Sequence, residues 1–108
     1  MQQITREAIR QMASSETVFY RGMRYYAAHA VSKMTWSENS KQYRALVKGG
    51  SQYVVTIEPE GEEIVYNCNC PGYIKYAGAC KHIVAALLFI SDYQKRKSSN
   101  LYDKLLSM

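Results

Sequence analysis

The sequence predicts an α+β fold. It should hold N-terminal helices, a four-stranded antiparallel meander, a metal site where the last strand gives way to a helix, and a buried C-terminal helix. Three observations carry this expectation. Apolar residues recur at helical spacing up to residue 30 and then alternate from residue 31 to 66. Residues 83–90, IVAALLFI, are apolar on almost every helical face, which marks a buried helix. Cys68, Cys70 and Cys80 fall within thirteen residues, and His82 follows directly.

The elements follow in order. Residues 4–13 (ITREAIRQMA) place Ile4, Ala8, Ile9 and Met12 on one side of a short helix. Ser14 or Ser15 caps a second helix, since short hydroxyl side chains can accept a hydrogen bond from a free N–H of the first turn. Phe19, Met23, Tyr26 and Ala30 form its buried stripe, and Gly22 within it marks a close packing point. His29, at the end of this helix, reads as structural. Val31 to Trp36 is a first strand, and Ser37-Glu38-Asn39-Ser40 a turn. Tyr43, Ala45 and Val47 alternate with Arg44, Leu46 and Lys48; Gly49-Gly50 is a hairpin signal; Tyr53, Val55 and Ile57 resume the alternation. Pro59-Glu60-Gly61 is the next turn, before Ile64-Val65-Tyr66, and Pro71-Gly72 ends the meander. A helix over 81–93 is closed by Lys95-Arg96-Lys97, well placed for the helix dipole. Ser98-Ser99-Asn100 breaks it before a last amphipathic stretch, LYDKLLSM, whose abrupt stop reads as a chain cut from something longer.

Composition narrows the class. The chain has 108 residues, 47% hydrophobic and 21% charged, and a formal net charge of +5. This is the balance of one small globular domain rather than of a disordered tail. No apolar run reaches the roughly 18 residues of a membrane span. Arg6, Glu7 and Arg10 occupy the place of a signal peptide's apolar region. The expectation is a cytoplasmic module without a membrane partner. An odd number of cysteines without an export signal argues against a disulfide framework.

The cluster reads C-x-C-x9-C-x-H, from Cys68-Asn69-Cys70 to Cys80-Lys81-His82. Three sulfurs and one imidazole are a complete tetrahedral zinc shell. Residues i and i+2 of a strand point the same way, so Cys68 and Cys70 can share one ion. Inside a helix, i and i+2 diverge by roughly 200°, so Cys80 and His82 must straddle a helix start. Gly78 permits the sharp turn before it. The competing readings are three free thiols with a surface histidine, or a redox pair at Cys68 and Cys70, whose disulfide would be strained. A closed shell leaves no coordination position for water, so a single structural Zn2+ is expected rather than a catalytic one. Three thiolates and Zn2+ sum to a charge of about −1, which Lys75 and Lys81 can balance.

The stretch Cys68-Asn69-Cys70-Pro71, followed by Gly78-Ala79-Cys80-Lys81-His82-Ile83-Val84-Ala85-Ala86-Leu87, resembles the SWIM zinc finger. Phe19-Tyr20-Arg21-Gly22 and Tyr25-Tyr26 resemble the segment preceding that finger in bacterial SWI/SNF-type helicases. The likeness runs from about residue 16 to residue 90. It implies zinc ligation by Cys68, Cys70, Cys80 and His82, a single SWIM-type zinc domain over 1–108 with its finger at 68–82, and DNA or protein as partner. Tyr73-Ile74-Lys75-Tyr76-Ala77 departs from the pattern of many members.

No phosphate-binding G-x-x-x-x-G-K-[ST] loop, Ser-His-Asp set or paired carboxylates are present, so neither an enzyme nor a small-molecule substrate is expected. Glu58, Glu60, Glu62 and Glu63 read as a solvated hairpin tip. Residues 1–57 carry +5, residues 58–66 carry −4 and residues 67–108 carry +4. Such a basic surface attracts phosphate without reading sequence, through Lys75, Lys81, Lys95, Arg96 and Lys97. A docking role without DNA binding would instead use an apolar patch at Leu101, Leu105 and Leu106.

Overall fold

The computed structural model describes the backbone of residues 3–75 and 77–106, and the side chains of that span except 74 and 97–106. The order is α1 (Arg6–Met12), α2 (Glu16–Ala27), β1 (Val31–Ser37), β2 (Gln42–Lys48), β3 (Gln52–Glu60), β4 (Glu63–Cys68), α3 (Pro71–Lys75) and α4 (Lys81–Leu106). The strands form one antiparallel sheet in the order β1-β2-β3-β4, the meander that the alternation predicts.

Ala45, Val47, Val55 and Ile57 are buried and point to the same face of the sheet. α4 lies against that face, while α1 and α2 pack on α4 from elsewhere. Covered on several sides, α4 buries Ile83, Val84, Ala85, Ala86, Leu87, Leu88 and Ile90 together, which is why its sequence is apolar all round. Gly22 is the contact point between α2 and α4: a methyl group there would stand 2.3 Å from Val84 Cγ1. The N-terminal segment is tied to α4 by Ser91 Oγ donating to the Ile4 carbonyl at 2.6 Å and by Ile4 N–H donating to Gln94 Oε1 at 2.8 Å.

Both early helices are capped by hydroxyl side chains, α2 at Ser15 as expected, while α1 starts only at Arg6 and leaves Ile4 outside it. Thr5 and Ser15 accept from the Ala8 and Val18 amides, each at 3.1 Å. α2 ends in a Schellman turn, with His29 N–H bonded to the Tyr26 carbonyl and Ala30 N–H to that of Tyr25. His29 therefore sits at φ 59°, exposed, in the left-handed conformation usually left to glycine. Its role is structural through its backbone, and Ala30 lies beyond the helix.

Three expectations change. Ser98-Ser99-Asn100 does not break the last helix, and Lys95-Arg96-Lys97 sits within it: α4 runs unbroken to Leu106. Serine and asparagine disfavour helix by only about 0.5 kcal/mol each, and no glycine or proline is there to stop it. Pro59 is not in a turn but in β3, opposite Ile64; the turn is Gly61-Glu62, with Gly61 at φ 62°. The β2 pairing ends at Ile57, so Pro59 withdraws no hydrogen bond from that neighbour. The residues after Cys70 begin with a short helix, α3, rather than a plain loop. Leu101, Leu105 and Leu106 have side chains outside those described, so the apolar patch expected there lies outside the described residues. No described helix is long and apolar enough to cross a membrane.

Candidate metal centre

Cys68 closes β4 opposite Val55 and is buried. The chain then stays attached to β3 for one more residue. Asn69 donates its N–H to the Val54 carbonyl, and its side-chain Oδ1 accepts the Val54 N–H at 2.9 Å. This small clamp turns Cys70 off the strand. Cys70 reaches the site from the start of α3, where its Sγ accepts the Tyr73 N–H at 3.3 Å, as an N-cap oxygen would. Pro71 takes the first helical position, where a missing N–H is harmless. Tyr73 anchors α3 to β4 by donating its hydroxyl to the Tyr66 carbonyl at 3.0 Å.

The second ligand pair is positioned across the chain. Ala79 bridges to Ala13: its N–H bonds the Met12 carbonyl at 2.8 Å, and its carbonyl accepts the Ser14 N–H at 3.0 Å. Gly78 has φ 92°, and a Cβ there would stand 2.9 Å from Ser14 Cα, so both torsion and space require glycine. Cys80 follows at the cap of α4, its carbonyl accepting the Val84 N–H, and His82 lies in the first turn.

Cys68, Cys70, Cys80 and His82 are all buried, and one ligand atom from each lies within 4.8 Å of all the others. His82 Nδ1 stands 3.8 Å from Cys80 Sγ and 3.9 Å from Cys68 Sγ. Ligands of a tetrahedral zinc ion stand about 3.6–3.8 Å apart, given Zn–S near 2.3 Å and Zn–N near 2.0 Å. His82 Nε2, by contrast, is buried without a hydrogen-bond partner, flanked by the rings of Tyr53 and Tyr25 at 4.4 and 5.4 Å. Nδ1 is thus the atom aimed at the sulfurs. The donor set, its enclosure and its spacing fit a single zinc ion.

Without metal the thiols share their protons unequally. The Cys68 thiol, then the His82 ring and the Ile83 N–H, pull Cys80 down to about 4 against the upward push of burial. The same Cys68–Cys80 hydrogen bond, followed by burial, holds the proton on Cys68. Burial raises Cys70 despite the Tyr73 amide. A dication would relieve all three at once, because zinc binds thiolates.

Residues 53–91 match the family model of the SWIM zinc finger. The matched stretch, which is similar to that family, contains all four candidate ligands. It takes in β3, β4, α3 and the first turns of α4; the upstream resemblance over Phe19 to Tyr26 lies outside it. No curated protein and no solved structure matches the chain.

The described basic residues singled out from the sequence lie at two levels of the molecule. Lys75 is exposed on α3, and Lys81 Nζ stands 5.5 Å from the centroid of the Tyr25 ring. Lys95 and Arg96 are exposed about 21 Å further along α4, at 1.5 Å per residue. The Lys97 side chain lies outside those described. Sequence reasoning missed Arg21. It lines, with Lys81, Tyr53 and Pro71, a hollow of about 190 Å³ beside the finger. Nothing local signals this, because Arg21 gets there through the α2–α4 contact at Gly22.

Proposed function

We propose that this chain is a structural-zinc accessory module of a SWI/SNF-type helicase-like ATPase and that it contacts DNA without reading its sequence. The observation supporting DNA contact is charge without partners. Among the described residues, carboxylates hold Arg10, through Glu7 and Glu16, and Lys41, through Glu38. Arg21, Arg24, Lys33, Arg44, Lys48, Lys81, Lys95 and Arg96 have no carboxylate at ion-pair distance among the described residues. The acidic residues Glu60 and Glu63 pair at the far end of the β3–β4 ladder from Cys68, about 17 Å away at 3.3 Å per residue. Arg21 and Lys81 face one hollow at the start of α4, where the helix dipole adds to their attraction for a phosphate.

The helix next to the metal is buried, so it offers no base-reading face to a major groove, and contact would run through phosphates alone. The SWI/SNF context rests on the Phe19-Tyr20-Arg21-Gly22 and Tyr25-Tyr26 resemblance. In this reading the chain has no reaction of its own: zinc supplies folding energy, and four protein ligands complete its shell. Cys68, Cys70, Cys80 and His82 would hold the ion, while Asn69, Gly78 and Pro71 orient them.

The test is a fluorescence-polarisation titration of the zinc-loaded chain with short single- and double-stranded DNA at low and moderate salt. Micromolar or tighter binding that weakens with salt is expected. Reversing charge at both Arg21 and Lys81 should lower the salt slope by about 2. Absence of binding at low salt overturns the DNA reading in favour of a protein-docking module.

A further inference from the structure

A broad groove lies away from the candidate metal centre, between β1 and α4. It encloses about 680 Å³, within the range of ligand-binding clefts. Trp36 on the strand side and Tyr93 on the helix side leave 41% and 51% of their surface exposed, with Tyr43, Met34 and Phe89 between them. Large exposed rings converging on one cleft mark a contact surface rather than scattered surface apolarity.

Trp36 is also held in place. Its Nε1–H donates to Glu38 Oε1 at 3.0 Å, Glu38 is fixed by Lys41 Nζ at 2.6 Å, and the indole stands 4.7 Å from the Tyr43 ring. The indole is therefore oriented before any partner arrives, which spares that partner the entropy of ordering it. Among the described residues, Glu38 is the one carboxylate lining the groove, and Lys41 neutralises it. Lys33 lines the same groove with no carboxylate at ion-pair distance among the described residues. Arg96 lines the adjoining hollow, which shares Val31 and Phe89 with the groove. The uncompensated charge along the cleft is positive.

We propose that this groove stacks the unpaired bases of a single-stranded nucleic acid on Trp36 and Tyr93, with Lys33 and Arg96 on its phosphates. Rings with cations beside them are what a single strand needs: every base has a face to stack, and every linkage a negative charge. A duplex has its base faces already covered. β1 is an edge strand, so no further strand among the described residues closes the cleft on that side. That same edge is a poor template for an extended peptide, since its register is broken between Val31 and Lys33 and it carries a lysine. The proposal rests on the DNA-contact reading and adds a site and a class of nucleic acid to it.

Trp36 is the single tryptophan of the chain, so its fluorescence reports on the groove alone. The zinc-loaded chain is titrated with a short oligothymidylate, a duplex of equal length and polyglutamate, reading Trp emission and polarisation together. Oligothymidylate should quench the emission. Trp36→Ala and Tyr93→Ala, checked for unchanged zinc content and circular dichroism, should each weaken its binding by roughly 5- to 100-fold. Trp36→Phe should keep most of the affinity, and the duplex should bind without quenching and without sensitivity to either alanine variant. Oligothymidylate that binds with unchanged emission and equal affinity for both variants overturns the groove proposal and leaves DNA contact standing. Failure of both DNAs to bind at low salt removes both. Quenching by polyglutamate and not by oligothymidylate overturns the proposal in favour of an acidic peptide.

Discussion

The two ends of the buried stretch of α4 are held in different ways. At its start, Cys80 and His82 are buried, and neighbours from β4, α3 and the residue 13–14 link fix their positions. Two to three turns on, Phe89 and Tyr93 face an open groove whose opposite wall, Trp36, is fixed by one carboxylate and one ring. The first end is rigid because many contacts agree on one arrangement. The second is rigid at one side chain and otherwise open to solvent. The difference teaches where perturbation should be transmitted: at the metal end into stability, at the groove into binding with the fold intact.

The largest expected effect is loss of metal. Chelation, or Cys80→Ser, should abolish most of the helical circular dichroism, because zinc contributes on the order of 10 kcal/mol to comparable small domains. Retention of the helical signal without zinc would erase the contrast between the ends. Next comes Gly22→Ala, whose methyl would press on Val84 at 2.3 Å and push α2 off α4. A loss of about 1–3 kcal/mol is expected, read as a lowered urea midpoint, with Trp36 binding to oligothymidylate unchanged under native conditions.

A smaller effect belongs to Tyr26, whose hydroxyl donates to Asp92 Oδ2 at 2.5 Å and joins α2 to α4 near the groove end, one residue before Tyr93. Burial first, and then this hydrogen bond, raise Tyr26 above its ordinary pKa of 10.0. Folding thus favours the neutral phenol, so the stabilisation is complete below pH 10 and fades as pH rises through the raised value. Tyr26→Phe should destabilise by about 1 kcal/mol near neutrality and flatten the alkaline loss of stability, as followed by thermal melts across pH. The smallest change sharpens the comparison from outside it. His29→Gly, at φ 59°, should stabilise by up to about 1 kcal/mol, a rise in melting temperature of a few degrees, and leave zinc content and DNA binding unaltered.

Much of this architecture is legible residue by residue. The alternation of Tyr43, Ala45 and Val47, and of Tyr53, Val55 and Ile57, specifies strands with one buried face, since side chains flip at each step along a strand. The apolar run from Ile83 to Ile90 specifies a helix covered on several sides. The four ligands are legible because their spacing places them at element ends, although Cys70 does not continue the strand from Cys68 as alternation implies but turns off it at the start of α3. Gly22 stands out as a close packing point and Gly78 as a turn.

Other features depend on contacts between distant segments, which spacing does not encode. Gly22 meets Val84 and Gly78 meets Ser14 only because α2 and the residue 13–14 link cross the start of α4. That crossing also brings Arg21 beside Lys81, while the length of α4 carries Lys95 and Arg96 away from them. Trp36 looks like one more strand aromatic until Tyr93 stands across the groove from it. Periodicity and ligand spacing are written within single elements and survive reading along the chain. Crossings, hollows and charge clusters arise when elements that are far apart in the chain come to share the same few ångströms, and that sharing is set by packing.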